Sequence, residues 1–457
     1  MKRRSDSSAR QKPQAATPNP SSAATIDVTI EKLIYGGDGL ARHEGATVFV
    51  PFVLPSERVK AEPVERRKDF VRTRLAGIVE PSPERVAAPC PHFEVCGGCD
   101  YQHIPYEAQV RYKTEILRET LRRTGKIEWA GEIKTHASEP WSYRNRAQWK
   151  VRPAAAESRP ASAGAMEIGY FRKHSATLCA VQDCPILAPA LLKVLLELRG
   201  ALAADRLPRE LREIEAFTNE DASSTGARVL LTLTVSGFPS RIAEHVKNIQ
   251  ALLPEVESIL IHDPRQGRME LFGPGFIRYA AAARAYRVGH FSFFQVNRHL
   301  AEELACAVAG NAGEGELALD LFAGVGLFAL PLSERFRKVI AVEANPAAAR
   351  DLEINTAGKA ALEIRAANVG EFLSTFKQGA DLAVVDPPRE GLMPEIVRRL
   401  GQVAPGQIIY VSCEPPTLAR DLRGLLDGGY EISGIDLFDL FPQTFHMETV
   451  VQLRRRS

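Results

Sequence analysis

From Arg298 onward, short apolar runs alternate with helical stretches. Arg298–Ala309 reads as a helix, and strands are predicted at Glu316–Leu321, Lys338–Glu343, Asp381–Asp386 and Gln407–Ser412. Alternation on this scale points to a doubly wound, mostly parallel sheet, whose ligands sit beyond the carboxyl ends of its strands. Each candidate reactive residue of this region lies at such an end or can fold back to it.

Asp320-Leu-Phe322-Ala-Gly324-Val-Gly326 follows the first strand and leads into a helix. Its glycines permit close backbone approach to a ligand at the helix start. Glu343 ends the next strand, where a carboxylate could accept both hydroxyl hydrogens of a ribose. These features suit a nucleoside cofactor. The dinucleotide fingerprint is incomplete, because Ala329 stands where its third glycine would be, and S-adenosylmethionine, with no pyrophosphate to cradle, is preferred to NAD.

Further on, Asp386-Pro-Pro-Arg389 closes a strand with an acid and two rigid residues, and Cys413 closes the next in Tyr410-Val-Ser-Cys413-Glu414. A cysteine there is most often simply buried. Glu448, however, opens what reads as the final strand. If that strand runs antiparallel beside the Cys413 strand, the two residues face one pocket. Carbon 5 of uracil is a chemistry that needs both. It is a poor nucleophile until a thiolate adds to carbon 6 and converts the ring to an enolate. After methyl transfer a carboxylate must remove the carbon 5 proton so that the thiolate can leave. Cys413 and Glu448 are expected in these roles, with Gln295 and Asp386 as candidates for orienting the ring.

Cys90-x5-Cys96-Gly-Gly-Cys99 gathers three soft ligands in a loop that can curl round a metal centre. Zinc or a cubane iron–sulfur cluster would accept four, the fourth from Cys179 or Cys184. The remaining chain is less specific. Residues 1–25 read as a basic flexible tail, and 26–80 as a small β-barrel bearing Lys60, Arg66, Arg67, Lys68, Arg72 and Arg74 among acids. Between 141 and 174, Arg144, Arg146, Lys150, Arg152, Arg159, Arg172 and Lys173 outnumber Glu157 and Glu167, and Trp141, Tyr143, Trp149, Tyr170 and Phe171 are interleaved. Cations beside aromatic faces suit unpaired RNA; the plainer reading is a two-sided sheet with a charged exterior. The formal charge of +2 excludes an overall basic scaffold. No apolar run suits a signal peptide or a bilayer, and seven unevenly placed cysteines, three crowded at 90–99 and four spread out, fit a reducing cytoplasm.

The ordered set of motifs resembles the RNA uracil-5-methyltransferase family, specifically the bacterial 23S ribosomal RNA branch with an N-terminal TRAM domain and an iron–sulfur cluster. The resemblance runs from about Val28 to the C-terminus. It rests on Tyr35-Gly-Gly-Asp-Gly-Leu-Ala-Arg42, the Cys90–Cys99 motif, Tyr143-Arg-Asn-Arg-Ala-Gln-Trp149, Cys184-Pro-Ile186, Phe294-Gln295-Val-Asn297, Asp386-Pro-Pro-Arg389, Ser412-Cys413 and Phe441-Pro-Gln-Thr-Phe-His446-Met-Glu448.

The resemblance implies an α/β plus β protein: an OB-like TRAM barrel at 26–80, an iron–sulfur cysteine region and helix at 81–126, a central mixed α/β RNA-binding domain at 127–289, and a Rossmann-like methyltransferase domain at 290–457. It implies a [4Fe-4S] cluster on Cys90, Cys96, Cys99 and Cys184, leaving Cys179 an ordinary core residue. S-adenosyl-L-methionine would meet Gln295, Phe322, Gly324, Gly326, Glu343, Asn368 and Asp386, with Cys413 as nucleophile and Glu448 as base. The implied partner is RNA, 23S ribosomal RNA ahead of transfer RNA, with no membrane and no obligate protein partner. An amino-group methyltransferase and a noncatalytic RNA-binding protein are the competing readings. Two residues depart from the family pattern: Glu414 where asparagine is common, and Leu327 where a polar residue follows the second glycine. A carboxylate at 414 would raise the thiol's pKa unless turned away or paired.

Overall fold

The computed structural model describes residues 25–153, 166–220 and 226–456. The predicted tail lies outside them except for Thr25, as do Glu157 and Arg159. The chain divides into two compact units, Met1–Lys32 with Gly39–Ser82, and Leu33–Asp38 with Pro83–Ser457.

The first unit is built on a curled sheet in the order Ile26–Thr29, Arg58–Arg66, Phe70–Glu80, Ala46–Pro51, Asp38–His43 and Lys32–Leu33. Alternation turns Val28, Val48, Val50, Val59, Ala61 and Val71 into its core. Three register shifts between Arg58–Arg66 and Phe70–Glu80 bend the pair, as bulges do. Of the predicted basic residues, Arg67 and Arg72 pair with Glu65 and Arg74 with Glu62, and Arg72 also lies over the Phe49 and Phe70 rings.

The second unit holds two large sheets. One runs in the order Leu178–Ala180, Met166–Phe171, Arg146–Pro153, Leu211–Thr218, Val229–Val235, Val256–Asp263 and Arg268–Phe272. On Arg146–Pro153 the residues Ala147, Trp149 and Val151 point inward. Arg146 and Lys150 pair with Glu215 and Glu213 on the neighbouring strand. Of the interleaved aromatics, Tyr143 and Trp149 are fully buried and belong to the core, whereas Trp141, Tyr170 and Phe171 are only partly covered.

The other sheet runs Leu362–Ala366, Phe336–Glu343, Gly315–Leu321, Leu382–Val385, Gln407–Ser412, Glu448–Arg455, Tyr430–Phe438 and Lys134–His136. The first five strands are parallel and Glu448–Arg455 is antiparallel to its neighbours. Its middle strands are apolar on both faces, with Leu319, Val339, Val384 and Ile409 fully buried, as expected where both faces of a parallel sheet are covered. This mixed sheet is consistent with an S-adenosylmethionine methyltransferase fold. Among the described residues no helix is long and apolar enough to cross a membrane.

The helix Tyr106–Gly125 buries Ile116, Leu117 and Leu121 on one face, and with them Lys113. The Lys113 ammonium donates to Asp439 at 2.6 Å and to the Phe441 carbonyl at 3.0 Å, and neither charged side chain is exposed. Removing one partner strands the other charge in the interior. Lys113→Met is therefore expected to cost about 3–5 kcal/mol, read as a fall in the thermal midpoint.

Candidate active site

Strand register brings the reactive side chains together. Ser412 pairs with Thr449 across antiparallel strands, so Cys413, one residue beyond, lies level with Glu448 at the start of the last strand. Val385 pairs with Tyr410 on one side and Leu321 on the other, so Asp386 and Phe322 leave the sheet at the same edge. Glu448 is 4% exposed and Cys413 is half-buried.

Burial governs the charges here. It pushes the Cys413 thiol up to about 12; Glu448, Asp386 and Glu414 act in the same direction and Arg389 opposes them. Glu448 is raised by burial and then by Asp386, again opposed by Arg389, and burial raises Asp386. Two carboxyls crowded in one dry site cannot both ionise freely, so this pocket holds protons and accepts positive charge.

The glycine loop leaves its strand through Phe322, Gly324 and Gly326, all at positive φ (67°, 55° and 95°). A Cβ at Gly326 would stand 2.8 Å from the Leu352 side chain, whereas a Cβ at Gly324 would meet nothing within 4 Å. The first glycine thus borders open space and the second lets the loop pack. Glu343 braces the loop by accepting from the Gly324 N–H at 2.8 Å and the Asn345 N–H at 2.6 Å. Each of its oxygens keeps a lone pair for a ribose hydroxyl. Gln295 is buried, and its carbonyl accepts from Asn145 at 3.0 Å. Asn297 closes the turn before the helix Ala301–Asn311 by accepting from the His299 and Leu300 N–H groups. Asn368 is exposed and caps a short helix through Gly370 at 2.8 Å.

Four residues at or beside this site had no role assigned from sequence. Asp320 is fully buried without a well-aligned hydrogen bond, and burial, then Asp386, raises it to about 8. Arg389 is the cation among the carboxyls. His446 is held down to about 3 by burial and then by Arg389. Tyr35 stands edge-on to Phe445 at 5.3 Å. All four were visible as motif members, but nothing in the sequence placed Tyr35 at this site, since it arrives from the far end of the chain.

Beside the site, Cys90, Cys96, Cys99 and Cys184 line one cavity of about 290 Å³, together with Arg144, Arg389, Thr444 and His446. Cys179 is not part of this lining and lies next to Cys96. Burial pushes Cys96 up to about 12 and Cys184 to about 11, so these sulfurs become thiolate ligands only against a positive centre. Among the described residues no group of three or more His, Cys, Asp or Glu is placed to hold a metal ion. Gln443 ties the cysteine segment to the loop before Glu448: its carbonyl accepts from Asp100 and Tyr101 N–H, and its N–H donates to Gln109.

Comparison with known proteins matches residues 277–456 to the tRNA (uracil-5-)-methyltransferase family and residues 23–71 to the TRAM domain. An RNA methyltransferase of Aquifex aeolicus is 33% identical, over 94% of this chain and 98% of that protein. The 23S rRNA (uracil(1939)-C(5))-methyltransferase RlmD of Halomonas elongata is 32% identical, over 97% and 92%. Among solved structures, the Pyrococcus abyssi tRNA (uracil-54, C5)-methyltransferase in complex with S-adenosyl-L-homocysteine is similar with a TM-score of 0.72 and 26% identity, covering 93% of this chain and 99% of that one.

Proposed function

Since this chain belongs to the RNA uracil-5-methyltransferase family, we propose that Cys413 and Glu448 are its nucleophile and base. The chain is an S-adenosylmethionine-dependent enzyme that methylates uracil at carbon 5 in RNA. The observation that carries the residue assignment is the register that sets a thiol and a buried carboxyl level at adjoining strand ends. An amino-group methyltransferase would have no use for that pair.

Cys413 adds to carbon 6 of a uracil flipped or already unpaired, and negative charge moves onto oxygen 4. In its protonated form Asp386 can donate a hydrogen bond to that oxygen, with Gln295 orienting the ring. When bound, S-adenosylmethionine supplies an electrophilic methyl group. Gln295, the Phe322–Gly326 loop, Glu343, Asn368 and Asp386 are the residues proposed to hold it. Glu448 then takes the carbon 5 proton, and the thiolate leaves.

We also propose a [4Fe-4S] cluster held by Cys90, Cys96, Cys99 and Cys184, on the ground that these four cysteines line one cavity. Its part would be to brace the cysteine segment against the loop that carries His446 and leads into Glu448. Anaerobically purified Cys184→Ala protein is expected to lose most of its iron and sulfide, and Cys179→Ala to keep them. Equal loss in both, or stoichiometric zinc in the wild type, contradicts this ligand set.

For the RNA itself, the matched family description and the Pyrococcus structure favour transfer RNA, more than they favour the narrower 23S expectation, which rests on relatives such as the Halomonas enzyme. Mapping 5-methyluridine in a deletion strain, with add-back of this chain, decides between them. Loss of a transfer RNA mark alone supports the first reading, and loss of a 23S mark alone the second. The setting proposed is the cytoplasm.

A further inference from the structure

Two protons must be off the reacting atoms at once in uracil methylation. The thiol gives up its proton when sulfur bonds to carbon 6, and does not recover it until the sulfur leaves. Between those events carbon 5 loses its own proton. A single carboxylate cannot accept both. If Glu448 takes the second, the first needs another acceptor.

The charged groups that act most strongly on Cys413 are Glu448, Asp386, Arg389 and Glu414, in that order, and Tyr35 lies near enough to feel the thiol. Asp386 lies in the buried carboxyl pair with Glu448, and Arg389 is a cation. Glu414 is the next residue in the chain and half-exposed, so it can exchange a proton with water. Its backbone is fixed by its N–H donating to Ser412 at 3.2 Å and its carbonyl accepting from Thr417 at 3.0 Å. Its side chain has a neighbour of its own. The Tyr35 hydroxyl is buried without a well-aligned hydrogen bond, and after burial the strongest influence on it is the Glu414 carboxylate. Tyr35 reaches this place on a glycine turn that tolerates little else: Gly37 has φ 88°, and a Cβ there would sit 3.1 Å from Asp100 and 3.3 Å from Phe445.

Resting on the uracil reading above, we propose that Glu414 is a second catalytic base, taking the Cys413 proton as sulfur bonds to carbon 6, and that Tyr35 is the positioning residue that holds it. The S–H bond breaks, its proton passes to the Glu414 carboxylate, and its electron pair forms the S–C6 bond as the C5=C6 pair moves toward oxygen 4. On elimination the S–C6 bond breaks and Glu414 returns the proton to sulfur. The departure from the family's usual asparagine thus has a function in this chain.

The test is the single-turnover rate of covalent adduct formation against pH. Transfer RNA and 23S transcripts containing 5-fluorouridine serve as probes, because fluorine at carbon 5 leaves no proton for Glu448 to remove. Glu414→Gln is expected to slow adduct formation about 100-fold at pH 7, the usual worth of a positioned base. The deficit should shrink as pH rises, because the thiol then ionises without help. Tyr35→Phe should slow it about five-fold, the worth of one hydrogen bond, with the same pH signature and unchanged RNA affinity. Glu414→Asp should restore much of the rate, and its profile with that of Tyr35→Phe carries the test should Glu414→Gln fail to fold. Adduct formation by folded Glu414→Gln at the wild-type rate or faster, at every pH, overturns the proposal; faster is the outcome if the carboxylate merely burdens the thiol with like charge. Failure of the wild type to form any adduct with either RNA overturns the uracil reading instead.

Discussion

Glu448→Gln is expected to trap the enzyme on its RNA. The amide keeps the shape of the side chain in a buried position but cannot accept the carbon 5 proton, so the methylated ring stays bonded to Cys413. Turnover should fall by about 10²–10⁴-fold, the range for a lost general base. Adduct formation should not slow. Glu448 is the largest influence after burial holding the Cys413 thiol up, and removing a like charge favours the thiolate. A stable protein–RNA band in denaturing gels, appearing as fast as in the wild type and persisting for hours, is the signature. Normal turnover by Glu448→Gln would remove this residue from the role.

Cys413→Ser should abolish both methylation and the adduct, a loss of about 10⁴-fold or more, since removing a covalent nucleophile disables the groups that work with it. The hydroxyl replaces the thiol with little change of volume, so the thermal midpoint should hold, which separates chemistry from folding. S-adenosylmethionine binding, followed by calorimetry, should also persist. Substantial methyl incorporation by Cys413→Ser would favour direct transfer to an amino group, and nucleoside mass spectrometry would then show a methyl group on nitrogen.

The sheet was legible where the strands run apolar on both faces. Gln407–Ser412 matches its predicted limits, and Glu316–Leu321, Lys338–Glu343 and Asp381–Asp386 differ from the observed strands by one or two residues at their ends. Leu362–Ala366 escaped notice because an edge strand with Glu363 and Arg365 among half-exposed neighbours has no apolar run. Lys134–His136 escaped because it joins the sheet from far upstream, pairing with Asp436–Phe438. The Cys413–Glu448 juxtaposition followed from one guess about strand direction, which local pattern can support. Tyr35 could not be found that way, since its neighbours are nearly 400 positions distant. Composition alone could not sort the aromatic residues of 141–149 into core and surface: alternation along Arg146–Pro153 turned Trp149 inward and left its charged neighbours to pair with glutamates, while Trp141 stays partly exposed.

Proteolysis and tandem mass spectrometry of the complex formed with 5-fluorouridine RNA address the central claim most directly. A peptide carrying a methylated 5-fluorouridine nucleotide bonded to Cys413 is the expected result. Methylated RNA formed with no such peptide, or with the nucleotide on any other side chain, would contradict it.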